Sequence, residues 1–374
     1  MNRYSKYLRS GFPFLLLAGC GGGFALRQFS PESAAIVWSG PRGNAQNTGY
    51  VAGQISRAPE IVWSRRIGAL DITSAAICGK FLFIGTPTKR IVALDAETGD
   101  NLGDLWVDVP MMQPPAICDG KLFFMGFGGY NRVGSYNLER NKTLWSRFSG
   151  DAETVPLVRD SIAIVATLKG GIYALSANDG EIVRQVRLDD AIHALPAMRN
   201  DTIWVAAGKK IYCIGASCEI IWRRKIDHSP GDALTIAENS VLMPTTDGIL
   251  YALDCATGEE RWRYDGKLRG GLPVAVAGEN IVFAMPSGTV FCIGAWDGEI
   301  RWQREIMSPV AAAPIIVGSA IIICTYAGKV LQLDIRDGSI ISETNLGKPI
   351  RSSPSSDGEK ILISAQNGMV FCLH

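Results

Sequence analysis

Three histidines, His193, His228 and His374, are all that the chain offers for imidazole chemistry. Neither a nucleophilic triad nor a three-histidine metal site can be drawn from them. His193 and His228 fall where one repeat hands over to the next, and there they read as solvated loop residues. Nine cysteines would suggest disulfides in an exported protein. Their positions argue otherwise. Cys213, Cys292 and Cys372 occupy one place in three copies of a repeat, and Cys78 and Cys118 share another. Equivalent positions in stacked sheets lie about 10 Å or more apart, beyond the reach of a disulfide. Most therefore read as small core residues, and Cys213 with Cys218, facing across one hairpin, is the one pair within reach. No CxxC occurs, so zinc and thiol-redox chemistry have little support. Asp95, Asp254 and Asp334 recur after a strand leucine, where a carboxylate can accept turn amides. On this reading the chain has no catalytic residue, no metal ligand and no cofactor.

Cys20 has a different setting. Arg3, Lys6 and Arg9 precede a short apolar run, Phe12 to Leu17, which ends in Leu17-Ala18-Gly19-Cys20. The run is too short to span a bilayer. It resembles a bacterial lipoprotein signal, which predicts a signal peptide over 1–19 and a lipid on Cys20. An ordinary signal peptide with a chance cysteine is the alternative. Residues 20–37, opening with Gly21-Gly22-Gly23, then read as a flexible tether. The body is expected outside the cytoplasm. Lys plus Arg, 37, nearly cancel Asp plus Glu, 36, so nucleic-acid binding has no electrostatic basis.

What must position these residues is a repeat. The phrase Leu250-Tyr251-Ala252-Leu253-Asp254, then Gly258 and Trp262, returns as Phe291-Cys292-Ile293-Gly294, then Gly298 and Trp302. Anchors at Leu94, Leu138, Leu175, Ile214, Leu253, Ile293, Leu333 and Leu373 are 44, 37, 39, 39, 40, 40 and 40 residues apart. A period near forty with several short strands per unit marks a radial β-repeat. Between Gly271 and Trp302 four strands can be parsed, separated by glycine-bearing turns. Runs such as Ile321-Ile322-Ile323-Cys324 do not alternate with polar residues, as expected of sheets covered on both faces.

The last unit stops at His374 without an outer strand, and Ile61-Val62-Trp63-Ser64-Arg65 is an outer strand with nothing before it. The expectation is an all-β, eight-bladed β-propeller over 38–374. Its blades are four-stranded and antiparallel, and the N-terminal strand joins the C-terminal blade to close the ring. Trp63, Trp106, Trp145, Trp222, Trp262 and Trp302 are expected to dock each blade on its neighbour. Arg184 and Ser342 stand where two blades lack the tryptophan.

The phrase Tyr251 to Trp262 resembles the repeat of the PQQ-like β-propeller family, as does Trp38-Ser39-Gly40-Pro41-Arg42-Gly43-Asn44 through Gly49. The resemblance covers about 38–374. Within it the lipobox, the blade number, the length and the ending Ala365-Gln366-Asn367-Gly368-Met369-Val370-Phe371 look most like the BamB lipoproteins. The opening segment is more typical of generic members. The BamB resemblance implies a non-catalytic scaffold of outer-membrane β-barrel protein assembly, anchored by lipid at the outer membrane, facing the periplasm. It also implies a monomer within a complex and a BamA-like partner, docked on rim loops. Candidates there are Asp190, His193, Asp227, Asp232 and Arg269. The alternatives are an exported propeller that binds another protein or ligand, and a quinone-dependent dehydrogenase. The dehydrogenases carry adjacent cysteines, Ca²⁺ ligands and a catalytic Asp in much longer chains. This chain has no Cys-Cys pair.

Overall fold

The computed structural model describes residues 23–26, 29, 36–127, 129–130, 132–266 and 270–374. Among these residues the strands form eight sheets. Blades 1 to 7 cover 75–106, 116–148, 157–187, 197–225, 235–265, 275–305 and 315–345. Blade 8 joins 355–373 to the strand Ile61–Arg66. Within blades 1 to 7 the strands pair in sequence order, each antiparallel to the next. The first strand of each blade is innermost and the fourth is outermost.

Burial follows that order. The second strand of blade 7, Ala320–Cys324, and the third of blade 6, Thr289–Gly294, are buried throughout. Neighbouring blades cover both their faces, which is why the sequence there shows no alternation. The outer strand Ile300–Glu305 is mostly exposed and strongly polar, which suits an edge that must not pair with other chains.

One irregularity recurs. The pairing of third and fourth strands slips by a residue at the anchor: Cys292 faces Trp302, but Ile293 faces Ile300. The same bulge follows Ala93, Ser135, Ala174, Cys213, Ala252 and Gln332. A bulge bends its strand and re-aims the side chain beside it. Here that side chain is the residue at the tryptophan position. The bulge also corrects the second anchor. Tyr136 pairs with Leu122 as Leu94 pairs with Leu82, so the anchor is Tyr136 and not Leu138. An aromatic residue at an otherwise aliphatic position hid the true spacing.

The ring closes as expected. Ile61–Arg66 runs antiparallel to Met369–Leu373, from Ile61 opposite Leu373 to Arg66 opposite Met369. Glu60 and His374 exchange two backbone hydrogen bonds of 3.0 Å.

The segment before the closing strand lies inside the ring. Ile36–Trp38 adds to the innermost strand of blade 1, and Tyr50–Val51 adds in parallel to that of blade 7. Between them the backbone carbonyls of Ser39, Ala45, Gln46, Thr48 and Gly49 accept from Ile117, Met198, Ile236, Val276 and Ile316. Six blades are thus bonded to one stretch of chain, and Trp38 within it is fully buried.

Cys213 and Cys218 are both free thiols. The Cys213–Cys218 pair does not form. Cys213 packs toward blade 5 and Cys218 toward blade 3, on opposite faces of their sheet.

Candidate binding surfaces of the ring

The tryptophan of an outer strand meets its neighbour through one repeated contact. The indole N–H of Trp63, Trp145, Trp222, Trp262 and Trp302 donates to the carbonyl of Ala96, Ala177, Cys255, Ala295 and Ile335 at 2.8–3.1 Å. Each ring lies on a turn glycine of the next blade: Gly99, Gly180, Gly258, Gly298 or Gly338. Gly298 has φ 70°, and a Cβ there would approach the Trp262 ring to 2.6 Å. The glycine serves both the turn and the stack.

Trp106 is not one of these residues. It lies beyond the docking register, is 55% exposed and faces Arg90. Gly103 occupies the docking place, opposite Ala93 as Trp262 is opposite Ala252. Where blade 3 carries Arg184, its guanidinium reaches the equivalent carbonyl, Ala216, at 2.6 Å. The Ser342 hydroxyl instead donates to Gln332 of its own blade.

The loops joining one blade to the next gather around a funnel on one face of the disc, about 540 Å³ in volume. His193 and Asp232 line it together with Asp71, Glu153 and Arg351. His193 Nδ1 lies 2.8 Å from Glu153. Burial among neighbouring loops pushes the Asp232 carboxyl above the ordinary carboxylate range. The Arg351 guanidinium stacks over Tyr326, 5.4 Å from the ring centre.

Asp190 and Asp227 lie on the same loops but do not line the funnel. The Asp190 carboxylate accepts from Lys210 Nζ at 2.9 Å, and the Asp227 carbonyl accepts from Lys209. The structure therefore joins two of the expected rim residues and leaves two outside the funnel. His228 pairs with Asp247 at 2.5 Å, away from the funnel. Arg269 and Cys20 lie outside the described residues.

The sequence reading missed the funnel's floor. Arg42, only 2% exposed, sends Nη2 to the carbonyls of Val274 and Pro314 at 2.8 and 2.9 Å. Among the described residues its Nε and Nη1 meet no acceptor. Burial pushes its pKa down to about 9, so the guanidinium keeps its charge at neutral pH. Gly49 makes room for this residue, since a Cβ there would fall 2.3 Å from Arg42 Nη2. The signal lay in the residues Trp38 to Gly49, but spacing alone could not place them on the axis.

A second concavity, about 630 Å³, opens between blades 2 and 3 beside Phe148, Ser149, Tyr173 and Ile182. Its cause is local. Four residues after the docking position most blades carry a buried aliphatic: Ile67, Val107, Leu188, Ile226, Ile306 or Leu346. Blade 2 has Ser149 instead, and Phe148 is left 76% exposed.

Among the described residues, no group of three or more His, Cys, Asp or Glu side chains could hold a metal ion. No helix among them is long and apolar enough to cross a membrane. Fold and surfaces together define an eight-bladed propeller of the PQQ-like kind, with a filled axis and loop-built faces. The sequence profile described as outer membrane protein assembly factor BamB matches residues 25–169 and 168–374. The chain belongs to that family. No curated protein matches it in sequence.

Solved structures share the fold at low identity. BamB from Moraxella catarrhalis is 15% identical, with TM-score 0.68, over 85% of this chain and 100% of that one. The computationally designed Ika8 protein is 14% identical, with TM-score 0.71, over 84% and 98%. The quinohemoprotein alcohol dehydrogenase ADHIIG from Pseudomonas putida HK5 is 12% identical, with TM-score 0.74, over 90% and 80%. The quinone cofactor of such dehydrogenases does not fit the residues found here. The funnel has neither adjacent cysteines nor, among the described residues, an acidic cluster able to hold a cation.

Proposed function

We propose that this protein is a non-catalytic scaffold in the assembly of outer-membrane β-barrel proteins. On this reading it is anchored by lipid on Cys20, faces the periplasm and docks a BamA-like partner on the rim loops of blades 3 to 6. The observation that carries the reading is the family match across nearly the whole chain. The filled axis supports it, because a ring built this way offers surface in place of a through-channel. Asp190, His193, Asp227, Asp232 and Arg269 are the proposed contacts.

The test is recovery of a barrel-assembly protein with the tagged chain from solubilised membranes. Reversing Asp190 and Asp227 to Lys together should lower that recovery about tenfold, equivalent to ~1.4 kcal/mol of binding. Undiminished recovery from a correctly folded variant would remove these residues from the interface. Absence of any such protein from the wild-type eluate would remove the function.

One observation favours a second reading, a propeller that binds a small anion. Arg42 lines the floor of the funnel, and its buried Nε and Nη1 have no acceptor among the described residues. A rise in melting temperature with a small carboxylate, abolished in Arg42→Gln, would support it. Dye reduction with added quinone, Ca²⁺ and an alcohol checks the dehydrogenase alternative.

A further inference from the structure

The junction of blades 1 and 2 lacks both halves of the docking contact. Gly103 replaces the indole, and Asn141 (φ 52°) replaces the turn glycine beneath it. The start of the chain fills the gap. Phe24, 4% exposed, packs edge-on against Phe83 of blade 1 at 5.5 Å and Tyr136 of blade 2 at 5.4 Å. Its N–H donates to Asn141 Oδ1 at 3.0 Å, and the N–H of Ala25 donates to the Leu102 carbonyl. Phe29 is also buried, 5.5 Å from Phe81. A Cβ on Gly103 would lie 2.6 Å from the Gly23 carbonyl oxygen. The two departures from the repeat and the seated phenylalanine fit one another. Part of the segment expected to be a loose tether is a strap, held in the groove between two blades.

Cys20 lies three residues before Gly23, and three residues span at most about 10 Å. A lipid on Cys20 would therefore bring a bilayer close to this groove. The surface there suits one. Trp106, exposed without a docking role, lies on the same outer strand as Gly103, and an indole favours the bilayer interface. Arg140 and Lys142 flank Asn141 and are exposed, as is Lys80 beside Phe81. Such cations are drawn to anionic headgroups.

We infer that the outer edge of blades 1 and 2 rests on the membrane, so that the disc stands on its edge and does not swing on a tether. Both loop-bearing faces are then open to partners from the side. The inference rests on the acylation of Cys20 proposed above.

The experiment uses the full acylated chain in vesicles of phosphatidylethanolamine and phosphatidylglycerol. A photoreactive phenylalanine analogue replaces Trp106 in one sample and Ile300, exposed on the outer strand of blade 6, in another. Lipid adducts are expected at position 106 and not at 300. Gly103→Ala, which blocks the strap's seat, should even out the two yields while the protein stays in the membrane pellet. Phe24→Ser should do the same by a different route, which guards against misfolding of either variant. Equal adducts at both positions in the wild type would overturn the inference while leaving the anchor intact. A wild-type chain that does not sediment with vesicles, and behaves as Cys20→Ser does, would instead overturn the anchor and this inference with it.

Discussion

An indole N–H on one blade, a carbonyl at the turn of the next and a glycine beneath the ring form the unit from which this protein's cohesion is built. The bond satisfies the only polar group of a large apolar side chain, so the ring can be buried without an unpaired donor. Trp262→Ala removes that packing and leaves the Ala295 carbonyl without its donor. It should cost about 3–5 kcal/mol in denaturant unfolding. Trp106→Ala should change stability by no more than about 0.5 kcal/mol, as for other exposed positions. Equal losses in the two variants would contradict the register that places Gly103 in the docking role. At this scale the sequence was legible wherever the repeat was regular. It misled where a tryptophan three residues away stood in for the true position: Gly103 follows Leu94 by nine residues as Trp262 follows Leu253, but a glycine carries no ring to mark the place.

The third-strand turn shows how an element is held by electrostatics. The Arg336 guanidinium and backbone amide donate to Asp334 and hold its carboxyl down to about 2. An unfolded aspartate titrates near 3.8. The folded pKa is the lower of the two, so the stabilisation is complete above about pH 4 and drains as pH falls toward 2. Asp334→Asn should therefore melt below the wild type near neutrality, with the gap closing as pH approaches 2. A gap that is constant with pH would show that this contact is not the cause. The recurrence of Asp after the anchor made its turn role readable. Its arginine partner, two residues on, lies outside the repeated phrase.

For the whole molecule, the decisive feature is the segment on the axis. Asn47 adopts φ 57° and donates to the carbonyls of Pro196 and Leu234, both at 2.8 Å, so one side chain joins blades 4 and 5. Asn47→Ala would strand two buried acceptors and place a Cβ-bearing residue without a local hydrogen bond in the left-handed region. A loss of about 2–4 kcal/mol is expected in chemical unfolding. An unchanged midpoint would mean that the ring does not depend on its filling. This segment could be seen in the sequence but not placed, because its partners are backbone amides and carbonyls of distant blades and leave no mark on composition or period.

The forty-residue period and the unbroken apolar strands are local patterns repeated many times, and together with the two complementary part-blades at 61–65 and 350–373 they were enough to specify a closed eight-bladed ring. The tertiary structure alone decided what fills the axis and which residues share the funnel. It also showed that Phe24 takes the place of a missing indole. Those outcomes depend on single contacts between residues far apart in the chain, and a contact made once leaves no periodic trace from which it could be read.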